Sequence, residues 1–180
     1  MKVYFREHNN TLAEELYAHL EFKVGIMLEM ITLYTINKSI ENNPITNRYH
    51  GSDAPLYDMK IYEIQNLVFT HFISTIESTL RKFVLAQGFG HEKIILNQIL
   101  EFLHKKHYIT QEHLHLWNGL RQMRNAVVHY DSKAHTTDSY HYSRELDVSL
   151  KEGQVMESTD LYSQLKLMEW MAFNVKEIIS

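Results

Sequence analysis

The segment Leu116-Trp117-Asn118-Gly119-Leu120-Arg121-Gln122-Met123-Arg124-Asn125-Ala126-Val127-Val128-His129 decides how the chain is read. At about 100° per residue, Leu116, Leu120, Met123 and Val127 fall on one side of a helix, and Arg121, Asn125 and His129 lie away from them. Thr110 is placed to cap this helix, and the pattern runs to about Tyr130. A helix with one apolar stripe needs other elements to cover that stripe.

Those elements are legible on both sides. Upstream, Thr11-Leu12-Ala13-Glu14 has the spacing of a capping box. Apolar residues then recur at Leu12, Leu16, Leu20, Val24, Met27, Leu28, Ile31 and Tyr34. This predicts a long first helix that ends near Glu41, before Asn42-Asn43-Pro44. The stretch from Pro44 to Pro55, with Gly51-Ser52-Asp53, reads as a loop. A second long helix follows from about Leu56 to Gln87, and Gly88 and Gly90 stop it. Gly88-Phe89-Gly90 is too short for a phosphate loop. A shorter helix is expected from His91 to His104.

Downstream, helical periodicity vanishes between Asp131 and Thr159. Leu146, Val148 and Leu150 alternate with Asp147 and Ser149, and Lys151-Glu152-Gly153-Gln154 is turn-like, so a small hairpin is expected here. Asp160 then caps a final helix carrying Leu161, Leu165, Met168, Ala172, Val175 and Ile179 on one face. The expected fold is all-α: a helical bundle of four to five helices with a small β-hairpin insertion before the last helix. Residues 1–180 read as one domain.

Composition narrows the function classes. The 180 residues are 44% hydrophobic and 22% charged and contain no cysteine, which excludes disulfides, thiol nucleophiles and cysteine-based zinc sites. The opening Met1-Lys2-Val3-Tyr4-Phe5-Arg6-Glu7 lacks the apolar run of a signal peptide. Phe22 to Ile36 carries Lys23 and Glu29 and is too short to span a bilayer, so no membrane role and a cytoplasmic location are expected. Net charge is −4 with only 18 Lys and Arg, which argues against a general nucleic-acid coat. RNA binding would need a local patch, and Lys105 and Lys106, flanked by His104 and His107, are the candidates. His104, His107 and the pair His113 and His115 resemble metal-ligand spacings only loosely. They have no acidic partner in register, so neither a metal nor another cofactor is expected.

The chemistry-bearing set is Arg124, Asn125 and His129. Arginine holds a phosphate through a planar fork of donors, and histidine moves protons near neutral pH. Arg124 falls at the edge of the apolar stripe, beside Leu120. There it is either a cation tied to a structural carboxylate or a phosphate-holding group at the border of a cleft. His129 lies about 140° around the helix from Arg124, so the two converge only if the helix ends at His129 or a second subunit supplies the other half. Asn125, four residues before His129, shares its face and can orient the imidazole or a substrate. On the second helix Thr70, Ser74, Glu77 and Arg81 form a polar line beside Phe69, Ile73, Ile76 and Leu80. Glu77 either pairs with Arg81 on a solvated face or reaches Arg124 or His129.

Arg124, Asn125 and His129 together resemble the defining motif of the HEPN superfamily: Arg followed by four to six residues and then His, usually with a polar residue directly after the Arg. The resemblance in sequence covers about a dozen residues; the expected order of helices, with the motif late in the chain, agrees over most of its length. Many members are metal-independent endoribonucleases that act as homodimers, with two motifs facing across the interface. The resemblance therefore implies RNA cleavage through the substrate's own 2′-OH, giving 2′,3′-cyclic phosphate and 5′-OH ends. Arg124, Asn125 and His129 would be catalytic, with Glu77, Arg121 and Tyr130 supporting. Small members act as toxins or in anti-phage defence, so an antitoxin or regulatory protein is a further implied partner. In one branch a tyrosine two positions after the His is adenylylated; that position here is Asp131, which speaks against the same control. The alternative is a non-catalytic helical module that binds RNA, a nucleotide or a protein partner.

Overall fold

The structure, a computed structural model, describes residues 2–41, 54–129, 133–153 and 161–179, and side chains over 11–33, 63–128, 133–153 and 162–179. The described elements are α1 (Lys2–Glu41), α2 (Ala54–Ala86), α3 (Leu96–Lys105), α4 (Gln111–His129), β1 (Asp138–Ser143), β2 (Leu146–Leu150) and α5 (Leu161–Ile179). This is an all-α bundle with a two-stranded antiparallel hairpin before the last helix. Among the described residues no helix is long and apolar enough to cross a membrane.

Helices α1, α2 and α5 pack against one another along their lengths, and α4 lies across α2, α3 and the hairpin. Their shared core is built from Leu16, Met27, Phe72, Ile76, Leu80, Phe83, Ile99, Leu103, Trp117 and Leu120, each at most 2% exposed. Fully burying such side chains stabilises by about 1.5–3 kcal/mol each before chain entropy is counted.

Three boundaries differ from the sequence reading, each for a local reason. Helix α1 begins at Lys2 and passes through Thr11. The Thr11 to Glu14 spacing is thus interior, because residues 2–10 contain no proline or glycine to halt a helix. Helix α3 begins at Leu96, not His91. His91 to Ile94 instead form a turn, with the Ile94 N–H donating to the His91 carbonyl at 2.9 Å. The Gln98 side chain accepts from the Ile95 N–H and marks the true start. The hairpin turns at Arg144-Glu145, so 146–150 is its second strand; its partner is the upstream 138–143, paired Tyr140 with Val148 and Asp138 with Leu150. Tyr140, Tyr142, Leu146, Val148 and Leu150 all point into the core. The turn expected at Lys151 to Gln154 survives as a bend at Gly153, φ 74°, whose N–H donates to the Ala134 carbonyl. The expected loop at Pro44 to Pro55 falls mainly on residues 42–53, which with Tyr130, Asp131 and Asp160 lie outside the described residues.

The helix stops use paired backbone bonds. At the end of α2 the Phe89 N–H reaches the Val84 carbonyl and the Gly88 N–H reaches that of Leu85, with Gly88 at φ 76°. The same pattern closes α3, with Tyr108 N–H to Leu103 and His107 N–H to His104. Here the left-handed position is His107, φ 61°, and a side chain in that conformation costs about 1 kcal/mol that glycine would not.

Candidate functional site

Thr110 starts α4: its hydroxyl accepts from the His113 N–H at 3.1 Å and its carbonyl from the Leu114 N–H at 3.0 Å. From there the helix buries Leu116, Trp117, Gly119, Leu120, Met123 and Ala126. Gly119 is required by contact: a Cβ there would stand 2.6 Å from Tyr140 Cδ1 and 2.7 Å from the Tyr142 hydroxyl. The glycine lets the hairpin lie directly on the helix.

Arg124 projects from the buried arc, two turns beyond Trp117 and one beyond Leu120. It is partly buried, and its Nε is sealed from solvent without a hydrogen-bond acceptor. Among the described residues no carboxylate pairs with it. Glu77 is not such a partner: its carboxylate is 2.8 Å from Arg81 Nη2, while Arg81 Nε donates to the Ile94 carbonyl at 2.9 Å. Of the two readings of Glu77 the structure therefore carries the pair with Arg81, which ties α2 to the turn before α3. Thr70 and Ser74 on the same line spend their hydroxyls on helix carbonyls one turn back.

A second orphan stands on α5. Gln164 is 4% exposed and its Oε1 also lacks a partner. His113 and Trp117 both meet Trp170 of α5, at 6.0 and 5.4 Å between rings, and His113 shares a cavity with Asn174.

Arg121 and Asn125 sit on the half-open side of α4, with Val128 45% exposed beside them. Arg121 Nε donates to Asn118 Oδ1 at 3.4 Å. The backbone of His129 is the last residue of α4, while its side chain and Tyr130 lie outside the described residues. The structure thus places Arg121, Arg124 and Asn125 on adjoining parts of one helix surface. Lys105 and Lys106 are exposed but stand past the other end of α4, about 20 Å from Arg124 by helix rise, so the basic turn is not part of the motif's immediate surroundings.

The hairpin adds residues that sequence reasoning missed. His115 packs on the Tyr140 ring at 4.8 Å, with Asp138 at 4.0 Å and the Ser139 carbonyl at 3.4 Å. Burial, then the negative charge of Asp138, pushes the Tyr140 hydroxyl up to about 12, while nearby Arg121 pulls the other way. The signal for this contact was the alternation of Tyr140 and Tyr142 with polar residues. The Tyr142 phenol, pushed up mainly by burial, donates to the Leu116 carbonyl at 2.9 Å.

No family model, curated protein or solved structure matches the chain. The class of protein is therefore defined by its own fold and surface: a hairpin-bearing helical bundle with a cationic helix face.

Proposed function

We propose that the chain is an HEPN-type, metal-independent endoribonuclease that works as a homodimer. The observation that carries this reading is Arg124: a partly buried guanidinium whose Nε lacks an acceptor and which no described carboxylate neutralises. A structural arginine in such a place would be expected to hold a carboxylate, because an uncompensated buried charge is costly. A phosphate oxygen supplies what is missing, and the planar fork suits it.

In this reading Arg124 stabilises the charge that builds on the pentacovalent phosphate. His129 takes the proton from the substrate 2′-OH, or delivers one to the leaving 5′ oxygen. The 2′ oxygen bonds to phosphorus as the P–O5′ bond breaks, leaving a 2′,3′-cyclic phosphate and a 5′-OH end. Asn125, on the same face as His129 by helix geometry, orients the imidazole or a ribose hydroxyl. Arg121 adds charge on the open face. On an ideal helix Arg124 and His129 stand about 140° apart, and in this reading a twofold partner supplies the complementary half of each site. Action as a toxin or a defence effector held by an antitoxin is the biological setting that this chemistry fits.

The test is incubation with total RNA in EDTA, followed by mapping of the ends. Cuts bearing 2′,3′-cyclic phosphate and 5′-OH support the proposal. Intact RNA, or cuts that need a divalent ion, overturn it.

A further inference from the structure

A cavity of about 370 Å³ opens at the end of α4 away from Arg124, where the turn after α3 meets the last turns of α5. His104, His107, His113, Asn174 and Glu177 line it, together with Gln111 at the first position of α4. Its size is at the lower end of the range for small-molecule sites. Among the described residues no group of three His, Asp or Glu side chains is placed to hold a metal ion.

The lining is rich in acceptors. Asn174 is 4% exposed, an unusual depth for an amide, and its Nδ2 donates to the Trp170 carbonyl at 3.0 Å. The amide orientation is set by that bond, and Oδ1 remains as the free end. His104 Nδ1 lies 3.4 Å from the Ile109 carbonyl; with the proton there, Nε2 of the neutral ring is an acceptor. Glu177 is exposed and among the described residues forms no ion pair. The first-turn N–H of Gln111, which has no intrahelical acceptor, is a main-chain donor here, and the Tyr108 and Thr110 hydroxyls and the Gln111 amide can also donate. The flat faces come from the rings of His107, Tyr108 and His113, and Lys105 and Lys106 are exposed beside them. His107 keeps an imidazole at a left-handed position, φ 61°, where glycine would relieve the backbone.

We propose that this cavity takes a guanine base. Guanine presents N1–H and its 2-amino group side by side, a pair of donors that one carboxylate accepts together, and Glu177 is the carboxylate at hand. Its O6 is an acceptor suited to the N–H groups at the start of α4. Asn174 Oδ1 and His104 Nε2 remain for the second amino hydrogen or a ribose hydroxyl. Adenine, cytosine and uracil lack the adjacent donor pair and cannot meet both oxygens of the Glu177 carboxylate at once. The phosphate on the ribose of the same nucleotide can rest on Lys105 or Lys106, which are exposed. The base can belong to a free nucleotide or to a single strand of RNA, whose unstacked bases are read on this same edge. The inference stands apart from the nuclease proposal, since the cavity shares no residue with the Arg124 surface.

The test uses the whole chain carrying Arg124→Ala, so that cleavage plays no part. Calorimetric titrations compare GMP, IMP (which lacks the 2-amino group), AMP, CMP, UMP and inorganic phosphate. GMP is expected to bind about tenfold or more tightly than each of the others. Glu177→Gln should weaken GMP by a similar factor. His107→Gly should weaken it too while raising Tm, which separates loss of binding from loss of fold. Equal affinity for all nucleotides, binding of phosphate alone, no saturable GMP binding, or an unchanged Glu177→Gln protein would each overturn the proposal. A G-containing tetranucleotide that binds more tightly than GMP identifies an RNA strand as the source; GMP binding as tightly identifies the free nucleotide. Absence of RNA cleavage by the unsubstituted protein would defeat the nuclease reading and leave this binding result untouched.

Discussion

The Tyr142 phenol donates to the Leu116 main-chain carbonyl at 2.9 Å, so the hairpin is fastened to the middle of α4 rather than to its ends. Leu116 is followed three residues later by Gly119, where any Cβ would enter the space of Tyr140 and Tyr142. The Gly119→Ala substitution sets two effects against each other. Alanine favours the helix by about 1 kcal/mol, while overpacking of this kind costs about 1–3 kcal/mol and threatens the Tyr142 bond. We expect a net loss on the order of 1 kcal/mol, read by thermal or urea unfolding. A stabilised Gly119→Ala protein would show that the tyrosines move aside freely.

Arg124 gives a sharper test through its unmet Nε. Replacing a partly buried cation that no described carboxylate neutralises by an apolar chain of similar length removes an uncompensated charge. Arg124→Met is therefore expected to leave Tm unchanged or raised while removing RNA cleavage. A Tm that falls steeply would mean that the guanidinium is held by the fold, and the phosphate role would lose its support.

His129→Ala is expected to reduce cleavage by about 100- to 10,000-fold with helical content unchanged. The measurement is initial rate on one defined RNA, alongside far-ultraviolet circular dichroism. Full activity in this variant would remove His129 from the mechanism. Substituting a 2′-deoxy nucleotide at the cleaved position should abolish cutting there, since the nucleophile is then missing.

Sedimentation at micromolar concentration should give close to twice the chain mass, with Arg121, Asn125 and Val128 protected on association. Charge reversal at Arg121 on the half-open side of α4 should shift the equilibrium toward monomer and reduce cleavage together with it. A monomer with full activity would refute a shared site.

Alkaline pH should loosen the hairpin first. The Tyr140 hydroxyl is pushed up from 10.0 to about 12 in the folded chain, so the native state holds that proton more tightly than the unfolded one. Its contribution is fully present below about pH 10 and is lost as pH rises through about 12, and Tyr142 is shifted in the same direction. Tyrosinate absorbance followed with near-ultraviolet circular dichroism should show both signals changing together in that window. Ionisation at the ordinary value without loss of tertiary signal would contradict the burial of these phenols.

The helices were legible because their apolar residues repeat at helical spacing over many turns, and α4 and α5 agree closely with that reading. Thr11 to Glu14 misled because a capping spacing also occurs inside helices, and only the surrounding residues tell the two apart. In the hairpin, Leu146, Val148 and Leu150 were visible as a strand, but the partner strand buries tyrosines, whose hydroxyls hide an apolar alternation. Arg124 was visible as a candidate; that no described carboxylate pairs with it was not, since that depends on side chains far away in sequence. Likewise His104, His107 and His113 read only as the flanks of a basic patch and as loose metal-ligand spacings until the fold brings Asn174 and Glu177 beside them.

The fastening of Tyr142 to Leu116 also bears on how the molecule opens. Its amide protons need not exchange with solvent at one common rate, because local openings differ in free energy. With the hairpin seated on its midpoint, α4 cannot fray past Leu116 or Gly119 unless two strands detach with it. Deuterium uptake over 116–123 and over 138–150 should therefore rise together, as one cooperative unit, while the flanks at Gln111 and Val128 exchange earlier and independently.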